Sequence, residues 1–467
     1  MPQRRLLRAA ENPARLVLSA FTSLIAIGAA LLRLPFAVEG PHPGLSHALF
    51  TSTSATTVTG LATIDVERFT AFGEVVLLVL IQVGGFGIMA LGAILATVAS
   101  HRMGLQQRRL ATAEFGSIDL GTLAEVDLRG VLMRVGQITM AAEGVLAVVL
   151  FLRLWGGGYD TPGHAAYSAV FHSVSSFNNA GISLYSDSMT RFVGDPLIVF
   201  PVTFAFILGG LGFPIIIEVL RQLRASDDEE RQRLPMLRRL QPVRWSLHTK
   251  ITLMASAVLV VGGPVVIGLV EWTNPDTLGG LDLGDRLLAA WFQGTTPRTA
   301  GFNTIDIGAM SEPGLLFVTT LMFIGAGPAS TSGGIKVTTF AVLGYVMWAE
   351  VRGQHDVNAF GRRLPRGLIR QAITIALLSV GLVIGSALVL VGTMDLTLTP
   401  ALFEATSAFG TVGLSTGITD QLPMVGRLLL VLVMLAGRIG PITFVAALAL
   451  RSRDLPYRYP EERPIIG

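Results

Sequence analysis

The sequence predicts an all-α polytopic membrane protein: eight transmembrane spans in four tandem helix–pore helix–helix repeats around a pseudo-fourfold pore. Three observations predict it: an unusually apolar composition, apolar stretches of bilayer length recurring along the chain, and a short motif that recurs four times in register. The 467 residues are 51% hydrophobic and only 14% charged, against about 25% charged in a soluble domain, and the mean hydropathy is +0.60. Those values exclude an ordinary cytosolic enzyme and a disordered chain. The formal net charge is +3 and the sequence pI about 9.5. In so apolar a chain the basic balance points to a lipid bilayer, with no nucleic acid partner. Lys250 and Lys336 are the only lysines, and there is no cysteine, so disulfides, thiolate metal sites and cysteine nucleophiles are excluded.

About 20 apolar residues cross a bilayer, and eight stretches qualify: 16–36, 71–99, 130–154, 195–220, 248–271, 313–348, 367–394 and 424–450. The first is followed by too many others to be a cleaved signal peptide. Between each odd and even span lies a stretch too short to cross, at 44–56, 164–176, 283–296 and 399–409; such segments suit re-entrant helices that enter and leave on one side. Orientation follows from arginine. The segments 1–15, 101–128, 225–246, 349–366 and 451–467 hold 20 arginines, and the opposite loops with their flanks hold six. The arginine-rich side is cytoplasmic, which puts both termini inside. The outer loops carry Asp65, Glu67, Asp160, Asp187, Asp195, Asp276, Asp282, Asp306, Asp395 and Asp420. They read either as a solvated face or as an acidic vestibule that concentrates cations.

The short stretches align without gaps on Gly60, Gly181, Gly301 and Gly413, which are 121, 120 and 112 residues apart. Twelve residues before each glycine stands alanine; ten before, an aromatic (Phe50, Phe171, Trp291, Phe403); six before, a hydroxyl (Ser54, Ser175, Thr295, Ser407); one after, a large apolar residue. A unit of span, short helix, glycine turn and span is therefore repeated four times in one orientation. The expected division is a cytoplasmic N-terminus 1–15; repeat 1 over 16–110 (pore loop 44–61); repeat 2 over 125–224 (pore loop 164–182); a cytoplasmic loop 225–246; repeat 3 over 247–350 (pore loop 283–302); repeat 4 over 366–450 (pore loop 399–414); and a cytoplasmic tail 451–467.

A re-entrant helix that stops at membrane depth continues as non-helical backbone, which is tolerated there only if buried in protein or lining a water-filled cavity. Four copies around an axis put that backbone on the axis, and glycine lets successive carbonyls face one side. A ring of carbonyls replaces the hydration shell of a monovalent cation. The candidate filter segments are Thr57, Val58, Thr59 and Gly60; Asn178, Asn179, Ala180 and Gly181; Thr299, Ala300 and Gly301, preceded by Arg298; and Gly410, Thr411, Val412 and Gly413. They contain no carboxylate ring of the kind a divalent-cation filter needs. Any one glycine alone reads equally well as a helix-packing residue; four in register argue for a filter. Arg298 is expected to brace its loop from behind, since a fixed cation on the axis would repel a permeating one.

The stretch 313–348 is too long for one simple span. Its middle holds Gly325, Gly327, Pro328, Ser330, Thr331, Ser332, Gly333 and Gly334, followed by Lys336, a density of glycine and proline that breaks a helix. It reads as a kink filled by neighbours or as a loop (325–334) crossing the pore and gating it. Milder breaks are expected at 84–87 and 209–214. Arg438 lies mid-span, where a charge costs at least about 2.5 kcal/mol unless it faces a cavity or partner. Lys336 suits snorkelling to the cytoplasmic side.

The segments Ser-Ala-Thr-Thr-Val-Thr-Gly-Leu (54–61), Phe-Asn-Asn-Ala-Gly (177–181), Thr-Thr-Pro-Arg-Thr-Ala-Gly-Phe (295–302) and Phe-Gly-Thr-Val-Gly-Leu-Ser (409–415) resemble those of the Ktr/Trk/HKT superfamily of potassium transporters, over nearly the whole chain. Length and span count resemble its KtrB-type membrane subunits most. The resemblance implies a channel-like pathway, K⁺ held by filter backbone carbonyls, and Na⁺ as a second candidate ion. In plant members a serine at the first filter glycine accompanies sodium preference, so Gly60 argues for potassium. It further implies an intramembrane gating loop in repeat 3 with an arginine beside it, at Arg438. Its implied setting is the plasma membrane of a prokaryote, as a homodimer seated on a cytosolic RCK-type ring that binds nucleotide (ATP or ADP). The chain has no dinucleotide-binding pattern of its own in a strand context, so nucleotide control would come from that ring. The arginine-rich loops 225–246 and 349–366 suit either docking it or contacting anionic lipid.

Two other classes compete with this reading. A Na⁺- or H⁺-coupled secondary carrier would use an intramembrane carboxylate, Glu143 or Glu404, though neither has a counterpart in the other repeats; Glu143 could instead be satisfied by Gln137 or a helix neighbour. An enzyme is not expected: no H-E-x-x-H, G-x-S-x-G or P-loop pattern is expected in the chain, and His172 has no second histidine at ligand spacing.

Overall fold

The computed structural model describes residues 13–102, 128–232, 245–394 and 396–440. The described chain is mostly helical. Its helices are α1 (Pro13–Leu32), α2 (Leu45–Thr56), α3 (Ala71–Arg102), α4 (Leu128–Gly156), α5 (Pro162–Phe177), α6 (Pro196–Leu211), α7 (Phe213–Gln232), α8 (Leu247–Glu271), α9 (Leu283–Thr295), α10 (Glu312–Phe323), α11 (Val337–Val351), α12 (Arg366–Met394), α13 (Leu398–Gly410) and α14 (Met424–Ile439). Two-residue strands at 358–359 and 362–363 form a small hairpin between α11 and α12. The N-terminal residues 1–12, most of the arginine-rich loops 101–128 and 225–246, and the tail 451–467 lie outside the described residues.

Among the described residues α4, α8 and α12 are long and apolar enough to cross a membrane. The pair α6 and α7 meets the same criterion together but is bent by 98°. Parts of α1 and α3, together with α10 and α11, are shorter apolar helices. Lipid-like exposure accompanies this: Val258, Val261, Val265 and Leu269 on α8 and Leu377 and Leu388 on α12 are all exposed.

The four short helices α2, α5, α9 and α13 coincide with the stretches expected to be re-entrant. Each is buried toward its C-terminal end, with Phe50, Phe171 and Phe403 at most 1% exposed and the alanines two residues earlier equally buried. Each packs against a longer helix just before it in sequence: α2 on α1, α5 on α4, α9 on α8, α13 on α12. Each also packs against the helix that follows the preceding short helix: α5 on α3, α9 on α6 and α13 on α10, while α2 closes the circle on α14. Serine or threonine hydroxyls in these helices bond the carbonyl four residues back, as Thr53 does to Leu49 at 2.7 Å and Thr406 to Leu402 at 2.7 Å, which satisfies hydroxyls in a dry interior.

The break at 212 is larger than the mild one expected. Gly212 adopts φ +90° and ψ 144° at the end of α6, and Gly440 ends α14 with nearly the same pair, φ +88° and ψ 143°. Only glycine takes that conformation readily. Helix α3 runs unbroken through 84–87.

Candidate ion-conduction site

The four segments after the short helices share one backbone shape. The residue two before each reference glycine is left-handed: Val58 (φ +55°), Asn179 (+59°), Thr299 (+85°) and Thr411 (+48°). The glycine itself is left-handed too, from +63° at Gly181 to +95° at Gly413. A β-branched residue at positive φ is a true outlier, and strain of this kind persists where surrounding structure enforces it. Here the short helices enforce it. The amides of Thr57, Val58 and Thr59 turn back to the carbonyls of Thr53, Ala55 and Ser54, at 2.7, 3.1 and 2.7 Å, and those of Asn178, Asn179 and Ala180 turn back likewise. The carbonyls of these residues accept none of those bonds. Gly410 differs slightly, forming the last residue of α13.

The segments meet at a point. A Cβ on Gly60 would strike the carbonyl oxygen of Ala180; on Gly181, that of Ala300; on Gly301, that of Val412; and on Gly413, that of Thr59. Each glycine thus faces the residue before the next glycine, and the fourth faces the first. The hydroxyl six residues before the glycine supports this ring in two ways. Ser54 and Ser407 accept from the amides of Gly60 and Gly413, at 3.0 and 3.1 Å. Ser175 instead donates to the carbonyl of Ile182 at 2.7 Å. In the third segment the same bond, to the carbonyl of Phe302, comes from Thr296 at 2.6 Å rather than from the expected Thr295. The reason is local: Ala300 reaches back four residues to Thr296, where the other segments reach back five.

On the side of the ring away from the short helices' N-termini lies the loop between α10 and α11. Ile324 and Ile335 pair as a bridge, and Gly325 N–H donates to Ile335 O at 2.9 Å, so the loop leaves and re-enters at one place. Every residue from Gly325 to Gly334 is buried. It lodges in the α6/α7 break, with Gly327 N–H on Gly210 O at 2.8 Å and Thr331 N–H on Gly209 O at 3.4 Å. It also touches the segments that end at the ring glycines. Asn179 Nδ2 donates to Thr331 Oγ1 at 2.8 Å and to Ser332 Oγ at 3.2 Å, and Thr299 Oγ1 donates to Ser332 Oγ at 2.7 Å. Gly333 lies against the Thr411 side chain so closely that a Cβ would collide with it. Three of the four left-handed residues therefore rest on this loop.

Arg438, 3% exposed, donates to Thr331 O and, at 3.2 Å, to Gly84 O, joining α14 to the loop and to α3. Lys336 Nζ donates to Ser332 O at 2.6 Å, folding back on the loop as well as lying partly accessible. Arg298 points away from the glycine ring, donating to Ser256 O and Oγ on α8 at 3.3 and 3.2 Å. Glu143 bonds Gln82 and Asn178, not Gln137, which is exposed. Glu404 accepts from Thr419 Oγ1. The run Gly-Leu-Ser-Thr-Gly (413–417) has the G-x-S-x-G spacing of serine hydrolases, but it sits on irregular chain after α13, with Ser415 Oγ bonded to Thr419 Oγ1 and Gly417 N–H at 2.8 and 3.0 Å.

Comparison with known proteins shows the family. The family model described as TrkH, a cation transport protein, matches residues 3–455. The chain is 35% identical over 462 residues to Ktr system potassium uptake protein B of Bacillus subtilis (strain 168), covering 98% of this chain and 97% of that one. It is 38% identical to the protein of that name from Vibrio alginolyticus, covering 97% and 94%, and 30% identical to the potassium/sodium uptake protein NtpJ of Enterococcus hirae, covering 98% and 97%. Its fold is similar to the crystal structure of the potassium transporter TrkH from Vibrio parahaemolyticus, with a TM-score of 0.67 at 19% identity, covering 93% of this chain and 83% of that one. The glycine ring, the loop beneath it and the matches over nearly the full length lead to one conclusion: the chain belongs to the TrkH family of cation transport proteins.

Proposed function

We propose that this protein takes up potassium across a prokaryotic plasma membrane through a channel-like pore. Its selectivity filter is the backbone of the four segments ending at Gly60, Gly181, Gly301 and Gly413. The observation that carries the proposal is the shared left-handed pair in all four segments together with the closed circle of glycine-to-carbonyl approaches. Amides turned outward into the short helices leave carbonyl oxygens for the axis, where they replace water around a dehydrated monovalent cation. The C-terminal ends of four short helices add negative dipole at the same point. The eight spans are α1, α3, α4, the bent pair α6–α7, α8, the pair α10–α11 split by the loop, α12, and the apolar stretch 424–450, of which α14 is the described part. Both termini are cytoplasmic, and the boundaries of the four repeats follow the expected division.

The loop 325–334 is the gate, held shut by Arg438, Asn179 and Thr299. Potassium uptake protein B names from two bacteria support membership of a multi-subunit Ktr system. We assign this chain the membrane-subunit role, as a homodimer controlled by a cytosolic RCK-type ring that binds ATP or ADP.

The test has two arms. Expression in a strain lacking its own potassium uptake systems should restore growth at low K⁺; no rescue with verified membrane insertion overturns the uptake reading. In proteoliposomes, Gly60→Ser should weaken the preference for K⁺ over Na⁺, because the hydroxymethyl group would be built against Ala180 O. An unchanged preference in that variant overturns the filter assignment.

A further inference from the structure

The second filter segment has a brace that the others lack. Asn178, three residues before Gly181, is fully buried. Its Nδ2 donates to Glu143 Oε1 and to Gln82 Oε1, both at 2.9 Å, and to Val174 O at 3.0 Å. Gln82 Nε2 in turn donates to the other carboxylate oxygen, Glu143 Oε2, at 3.2 Å. Three elements, α3, α4 and the filter segment, are thus joined by side chains in the interior. On its other side the Asn178 amide is confined by α3, since a Cβ on Gly85 would run into Asn178 Oδ1. The equivalent position is Thr57 in the first segment, whose hydroxyl bonds only its own neighbourhood at Thr53 O and Thr59 Oγ1, both at 2.7 Å. In the third it is Arg298, tied to Ser256, and in the fourth Gly410.

Glu143 is 4% exposed and has no ion pair among the described residues. A carboxyl group in so dry a place is expensive unless it is hydrogen-bonded; both Glu143 oxygens accept a bond, whereas Asn178 Oδ1 has no partner among the described residues, so the Asn178 amide is held through its Nδ2 donors alone. The next residue, Asn179, is held from the opposite side by Thr331 and Ser332. The backbone carbonyl of Asn178 therefore lies between two anchors.

We propose that Glu143 is a positioning residue for ion discrimination: acting through Asn178, it fixes the carbonyl spacing of the second filter segment. This rests on the filter reading above. The experiment compares K⁺ and Na⁺ uptake by the full-length protein in proteoliposomes, with Gly60→Ser as a control for the filter itself. Loss of a buried charged hydrogen-bond pair should lower the K⁺/Na⁺ preference about tenfold in Glu143→Ala. Asn178→Asp sets two carboxylates against each other and should do the same. Glu143→Gln keeps one acceptor for Asn178 and should lose less than Glu143→Ala. The double variant Glu143→Gln with Asn178→Asp restores the bond with donor and acceptor exchanged, and at the parent's charge and nearly its volume should recover the preference to within about twofold. It also answers the question if Glu143→Ala does not fold.

Three outcomes overturn the proposal. In the first, Gly60→Ser shifts the preference while Glu143→Ala and Asn178→Asp leave it unchanged, which sinks the positioning role and spares the filter. In the second, the exchanged pair is no better than the single variants. In the third, Glu143→Gln abolishes transport outright, as a proton-carrying carboxylate would require. An unchanged preference in Gly60→Ser removes the filter reading and this proposal with it.

Discussion

Arg438 donates to two backbone carbonyls, of Thr331 in the loop and Gly84 on α3, and so supplies the partners that a mid-span arginine requires. Both belong to other repeats, more than 100 residues away. Replacing it with alanine removes donors from two carbonyls at once and frees the loop from α14. Arg438→Ala should therefore raise K⁺ flux in proteoliposomes lacking any regulatory subunit, with Arg438→Lys intermediate because a point charge cannot span both acceptors as a planar guanidinium can. Flux equal to the parent's in both variants would show that the arginine does not restrain the gate. The filter residues were more legible. Their glycines, hydroxyls and aromatics stand in fixed columns, since four copies of one local structure need the same residues at the same places. What the columns could not give was the left-handed residue two before each glycine, because Val58, Asn179, Thr299 and Thr411 share no side-chain chemistry. Position, not residue type, dictates that backbone.

Among the elements, the loop 324–336 has two sets of attachments. One set goes to the break between α6 and α7, through Gly209 and Gly210 carbonyls; the other goes to side chains of the proposed filter segments. Its glycine density marked it in the sequence as an interruption. Its destination was not marked, because the bend that receives it is 98° at Gly212 and a glycine in an apolar run gives no indication of the angle it permits. Deleting 326–332 should raise K⁺ flux and make it independent of a cytosolic partner, read as tracer uptake with and without that partner. Equal flux before and after deletion would mean the loop is packing rather than gate. A second element-level device is purely structural. Glu271 at the end of α8, fully buried, accepts from Thr277 Oγ1, Asn274 Nδ2, Ser311 Oγ and Ser311 N–H at 2.5–3.0 Å. It ties α8 to the start of α10. Glu271→Ala leaves those donors unsatisfied and should cost about 3 kcal/mol or more of stability, seen as a lower thermal midpoint in detergent. An unchanged midpoint would assign the α8–α10 junction to apolar packing alone.

For the whole molecule, the decisive feature is that the circle of short helices closes only when all four are present. α5 on α3 and α13 on α10 are contacts within one half of the chain; α9 on α6 and α2 on α14 are contacts between halves. The halves are not interchangeable. The Glu143–Asn178 brace lies in the first, while the loop 325–334 and Arg438 lie in the second, which reaches across to Gly84 and to the α6/α7 break. Two copies of either half could bring four short helices together but would pair surfaces that do not match: two first halves would have no loop to fill the α6/α7 break, and two second halves would lack the Gly209 and Gly210 carbonyls that receive the loop. Separating the chain in the segment 225–246, where charge is dense and the sequence polar, cuts no contact of the circle. Co-expressed halves 1–232 and 245–467 should therefore copurify and together restore growth at low K⁺ in a strain lacking its own uptake systems, while neither restores it alone. Buried complementary contacts such as α9 on α6 and α2 on α14 favour association even without a covalent link. Rescue by one half alone would show that a two-repeat homodimer can build the pathway, and the four unlike segments would then have to be read as redundant copies rather than parts of one filter.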